Sequence, residues 1–154
     1  MFVTRVFVPA PIDKLLIVVD AVLLALGALF IKSAGATSVA AVGGVLIGIW
    51  LPAFLPFSFI FTLLYGVIVD AAFFAFKVKA TKNGVNRNTL MIAMTISTLF
   101  IGFLSYYSTS LTLNIIPITP VLTAIVLFMA PISGAVAGYA TSYLWNKYLR
   151  NIAI

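Results

Sequence analysis

Asp13, Asp20 and Asp70 are the only acids in a 154-residue chain that contains neither histidine nor cysteine. That inventory removes most reaction chemistry at once. Without cysteine there is no disulfide, thiol nucleophile or thiolate ligand. Without histidine the commonest general base, zinc ligand and axial haem ligand are missing. Four methionines remain, but an isolated thioether is a poor metal anchor. Paired-carboxylate catalysis has few possible players. We therefore expect no enzyme activity, no metal and no cofactor.

Two of the acids interrupt apolar runs. Asp70 lies within "FTLLYGVIVDAAFFAFK", Phe61 to Lys77. An ionised carboxylate inside hydrocarbon costs at least ~2.5 kcal/mol on insertion scales, so it must face protein, water or an interface. Asp70 is either hydrated near an interface or bonded to a nearby Ser or Thr, or it binds a cationic group of a ligand or partner. Gly66, one turn earlier, leaves room beside it. Lys77 is two turns on, ~10 Å along a helix axis, too far for a direct pair. Asp20 sits ~8 Å into an earlier segment, entering from the opposite face, so the two carboxylates do not form one site. Asn114 belongs to the uncharged polar stretch "STSLTLNIIPITP". With Ser108, Thr109, Ser110 and Thr112 it reads as a solvated connector or as a lid over an outward cavity.

The elements that carry these groups follow from composition. The chain is 64% hydrophobic and 8% charged, with a mean hydropathy of +1.24. A soluble domain is nearer half apolar and a quarter charged. A bilayer is the natural solvent for such a chain. The expected fold class is all-α, a polytopic transmembrane helical bundle formed by one integral membrane domain over residues 1–154. Five apolar segments are read at about 15–31, 37–51, 57–76, 89–107 and 120–144. A span needs ~20 residues for a ~30 Å core. The second segment is short and runs into "LPAFLPF", where Pro52 and Pro56 break or kink a helix. It crosses fully or re-enters as a hairpin packed inside protein.

The flanks add detail. Pro9 and Pro11 forbid a long helix at the start, and Asp13 is placed to cap the first span. Arg5 and Lys14 ahead of an apolar run, with "SAGA" after it, resemble a signal peptide. An intact first span is the better reading. Seven of the nine basic residues, Lys32, Lys77, Lys79, Lys82, Arg87, Lys147 and Arg150, fall on one side of a five-span arrangement. The positive-inside rule then puts the C-terminus in the cytoplasm and the N-terminus outside a cell membrane. Trp50, Tyr106 and Tyr107 fall at one set of helix ends, and Tyr143, Trp145 and Tyr148 at the other, as interfacial aromatics do. In so apolar a chain the net charge of +6 points to lipid headgroups and not to nucleic acid. The cluster "KVKATKNGVNR" could contact a headgroup or a cytoplasmic partner, and its "NG" marks a tight turn.

Small residues recur at spacing four: Ala21 and Ala25; Ala40, Gly44 and Gly48; Gly134, Gly138 and Ser142. Such faces let helix backbones approach closely. They pack within this bundle or dock onto other membrane subunits. Pro131 adjusts the shape of the last helix or forms a hinge.

The small-residue first helix, the Pro-rich break before "YGVIVD" and the ending "AVAGYATSYLWNKYLR" resemble the substrate-binding membrane subunits of energy-coupling-factor transporters. The resemblance implies a subunit that binds a vitamin or metal ion and carries no catalysis of its own. It also implies that Ala21 and Ala25 dock onto the transmembrane coupling subunit. That family usually has six helices with both termini inside, against five and an outside N-terminus here. A structural accessory subunit of a larger assembly, such as a respiratory complex, is the alternative expectation. Such a subunit would bind no ligand.

Overall fold

The computed structural model describes residues 12–31, 34–50, 55–81, 84–113 and 119–150. They form an all-helical protein: α1 Ile12–Phe30, α2 Gly35–Trp50, α3 Leu55–Ala75, α4 Arg87–Leu113 and α5 Pro120–Leu144. The last helix runs on into a π-helical turn, Trp145–Leu149. Among the described residues no strand forms, and Thr81 and Gly84 make one isolated bridge. Over Arg87–Ser108 and Thr123–Leu149 the chain is long and apolar enough to cross a membrane. Val18–Phe30, Gly35–Leu46 and Phe59–Ala75 are shorter apolar stretches.

Helix boundaries follow local chemistry. The first helix begins directly after Pro11, so Asp13 lies inside its first turn and not ahead of it as a cap. Pro56 is accommodated in the first turn of α3, where its missing N–H would have no intrahelical partner. Asn86 caps α4: its Oδ1 accepts from the backbone N–H of Asn88 at 3.1 Å and of Thr89 at 3.4 Å. The fourth helix also runs six residues past its expected end at Tyr107, through Leu113. Ser108, Thr109, Ser110 and Thr112 are therefore helical, which corrects the reading of this stretch as a connector or lid. Ser and Thr are mediocre but tolerated helix residues, and the first true breaker is Pro117. Pro120 opens α5, and Pro131 sits within it without ending it.

Consecutive helices pack against each other, and α5 returns to α1. The first helix also reaches α3 and α4, so it closes the ring. The core takes Ala21, Leu24, Ala25 and Leu29 from α1, Ala36 and Ala40 from α2, and Tyr65, Val69, Ala72 and Phe73 from α3. Leu90, Ala93, Met94 and Ile101 come from α4, then Ala137 and Trp145. So many alanines make a thin core in which helix axes lie close together. The surface is apolar: Phe74, Leu111, Val121, Phe128, Val42 and Phe100 are among its most exposed side chains. Two aromatic residues expected at helix ends are instead interior. Tyr106 is buried, and Trp145 lies edge-on to Phe30 with ring centroids 5.0 Å apart.

Candidate functional site

Asp70 lies one turn before the end of α3, where that helix meets the start of α2. Its Oδ1 accepts from the Ala36 N–H at 3.0 Å. Its Oδ2 accepts from the Thr37 N–H at 2.8 Å and from the Thr37 hydroxyl at 2.6 Å. The first N–H groups of any helix lack intrahelical acceptors and carry the positive end of its dipole. Asp70 supplies both the acceptor and the negative charge, as an N-cap does, but from a different helix. All three donors are neutral and all belong to α2. The carboxylate offered by the sequence to a cation is thus occupied by a helix end, with Thr37 as its hydroxyl partner.

Gly66 lies one turn earlier on the same face. A β-carbon there would fall 2.7 Å from the Ala40 Cβ and 2.8 Å from the Thr37 Cα. The room beside Asp70 is filled by α2, so it is not open to a ligand. Without Gly66 the two helices could not come close enough for the carboxylate to reach its donors.

Asp20 is different. It is exposed on α1, and its charge acts on the Tyr65 hydroxyl. Among the described residues Asp20 makes no hydrogen bond or ion pair. Among the described residues the Tyr65 hydroxyl is itself buried and without a partner, as are the Ser110 and Thr141 hydroxyls and the Trp145 indole N–H. Tyr65 precedes Asp70 by five residues, ~7.5 Å along the helix. The two carboxylates therefore serve separate places, as expected from their positions in the chain. Asn114 lies outside the described residues.

The small-residue faces meet the chain's own helices. Ala21 and Ala25 are fully buried in the core. A β-carbon on Gly138 would fall 2.7 Å from the Met91 Cα, and one on Gly134 would fall 2.6 Å from the Met94 carbonyl oxygen. Gly44 faces Phe59 of α3. Gly48 lies near the end of α2, and its surroundings are outside the described residues. For Ala21, Ala25, Gly44, Gly134 and Gly138 the docking reading is corrected, because each face is already covered from within.

The end of the bundle that holds Asp70 carries a second polar device. The Asn146 Oδ1 accepts from the Val85 N–H at 2.8 Å, and its Nδ2 donates to the Val85 carbonyl at 3.1 Å. One side chain thus pairs with both backbone groups of one residue and clasps the α3–α4 connection to α5. Gly84 lies directly against Asn146 at φ +103°, a conformation that glycine adopts without penalty. The π-helical turn closes with Arg150 N–H donating to the Trp145 carbonyl at 2.9 Å. Its wider winding lets consecutive residues, Trp145 and Asn146, both face inward.

Beside this clasp is an open hollow of about 370 Å³ lined by Arg87, Tyr139, Ser142, Tyr143, Asn146 and Lys147. The Arg87 guanidinium carbon lies 5.7 Å from the Tyr139 ring centroid. The Lys147 ammonium lies 5.2 Å from the rings of both Tyr143 and Tyr148, and donates to the Tyr143 hydroxyl at 2.8 Å.

The sequence left some of these roles unread. Asn146 sits in "LWNKY" with no spacing that marks it, because its partner is a backbone 61 residues away. Asn86 did carry a signal, an Asn just ahead of an apolar run. Tyr65 carried a weaker one: a tyrosine in an apolar run must find a partner for its hydroxyl or leave it unpaired. Comparison with known proteins finds no matching family, and no match among curated proteins or solved structures.

Proposed function

We propose that the chain is a non-catalytic, multi-pass subunit of a cell membrane, of the substrate-binding or transport type, with all five helices as spans. The reading rests on one observation: among the described residues the buried Tyr65 hydroxyl has no hydrogen-bond partner, and it feels the charge of Asp20, which makes no bond there either. A buried hydroxyl without a partner costs roughly 1–3 kcal/mol. A small cationic solute that also donates hydrogen bonds would satisfy both groups. Asp70, whose oxygens are taken by α2, is not part of this site. The described basic residues Lys77, Lys79, Arg87, Lys147 and Arg150 support a cytoplasmic C-terminus and an outside N-terminus.

The resemblance to energy-coupling-factor subunits agrees with this class. Its docking role for Ala21 and Ala25 does not carry over, because both are fully buried. A partner subunit would use another face. The reading as an accessory subunit is favoured by one feature, the exposed apolar stripe along α5, which would suit a membrane neighbour.

A thermal-shift screen of the purified chain in detergent tests the proposal, with small organic amines, metal cations and anionic controls as the panel. One cationic class should raise the melting temperature of the wild type. A ligand at a hundred times its Kd stabilises by about 2.7 kcal/mol. Asp20→Asn should lose the shift and Tyr65→Phe should weaken it. If no panel member stabilises the chain and Asp20→Asn still joins its native complex, the accessory reading replaces this one.

A further inference from the structure

The hollow between α4 and α5 holds two cations and no carboxylate. Asp70, near the end of α3, has both oxygens bonded to α2. Among the described residues Arg87 and Lys147 therefore share a small concave space whose lining carries no counter-charge. Neither swings freely: Arg87 sits over Tyr139, while Lys147 is held by the Tyr143 hydroxyl and lies against two aromatic rings. Two like charges in one hollow repel, and an anion between them removes the repulsion. The backbone amides at the start of α4 play no part, since Asn86 already caps two of them.

What lies beneath the hollow identifies the anion's source. Val121, Ile125, Phe128, Ile132, Val136, Tyr139 and Tyr143 are all exposed, at 69, 48, 66, 56, 50, 49 and 48%. Their spacing of three and four residues puts them on one face of α5. The face is apolar for most of its length and ends in the two tyrosines that line the hollow. A cationic hollow at the head of an apolar track fits one class of molecule. We propose that Arg87 and Lys147 bind the phosphate of an anionic phospholipid whose acyl chain lies along the exposed face of α5. A free phosphate would use the hollow and leave the track empty. The inference rests on α4 and α5 crossing a membrane, and it is independent of the Asp20–Tyr65 site.

The test uses the full chain in detergent, with dioleoyl phosphatidylglycerol as probe and native mass spectrometry as readout. Phosphatidylglycerol should remain bound to the wild type, and phosphatidylcholine should not. Arg87→Gln combined with Lys147→Gln should weaken retention by about 30-fold, from ordinary values for two basic residues at an anionic surface. Lys79→Gln, at the same end but outside the hollow, should leave retention unchanged, and Lys147→Arg should preserve it. Circular dichroism on each variant separates lost binding from lost folding. Equal retention of both lipids, or unchanged retention in the double variant, would overturn the proposal. So would complete displacement by equimolar inorganic phosphate, which would mark a simple anion site.

Discussion

The Thr37 hydroxyl donates to Asp70, and so bears out one of the two readings left open for that carboxylate, a bond to a nearby Ser or Thr. A carboxylate in an apolar run suggests a ligand site, since bare charge is costly there. What satisfies it is a helix terminus brought in by packing, and only Thr37 among its three donors is a side chain with a readable signal. Asp70→Asn should destabilise the fold by roughly 2–3 kcal/mol, the range for charge-assisted bonds whose donors are left poorly matched. Its amide nitrogen would face two donors that need an acceptor. Unfolding in a denaturing detergent titration would measure the loss, and an unchanged midpoint would show that the carboxylate contributes nothing to stability. Gly66 was legible as a space beside Asp70. That α2 fills this space was not, because nothing local to α3 encodes which neighbour arrives.

At the level of elements, helix existence was legible and helix ends were less so. All five apolar segments became helices because long apolar runs without internal glycine–proline clusters have few alternatives. The ends moved where capping decided the matter, as Asn86 did for α4. The end of α3 carries an identifiable strain. Val78 N–H bonds the Phe73 carbonyl at 2.9 Å and Lys77 N–H bonds the Phe74 carbonyl at 3.1 Å. This is a Schellman closure, and it places Lys77 at φ +51°, where glycine is normal. The β-carbon of lysine costs about 1–2 kcal/mol in that conformation, partly offset by the greater freedom of glycine when unfolded. Lys77→Gly should therefore stabilise the chain by about 0.5–1 kcal/mol, read as a higher melting temperature in detergent. A lower melting temperature would mean that the lysine head group holds the turn by other contacts.

For the molecule as a whole, the small-residue faces were visible in the sequence, but their partners were not. Spacing alone cannot say whether a seam closes inward or outward, and here Gly134 and Gly138 of α5 meet α4 while Ala21 and Ala25 of α1 meet the core. The direction of insertion is tested with single cysteines, since the chain has none of its own. A cysteine at Lys79 should be shielded from an impermeant thiol reagent in intact cells, and one at Asn114 should react. The reverse labelling would turn the whole bundle over. Ser110 is unsuitable as the outer reporter, because it is buried. The Asp70 cap also sets an order of assembly. Thr37 leaves the ribosome 33 residues ahead of its acceptor, an interval of roughly 2–7 s at ordinary synthesis rates. For that time the first amides of α2 lack the acceptor they have in the fold and must be covered by water. The arrival of α3 supplies the acceptor, so the start of α2 is finished only when a helix made later packs against it.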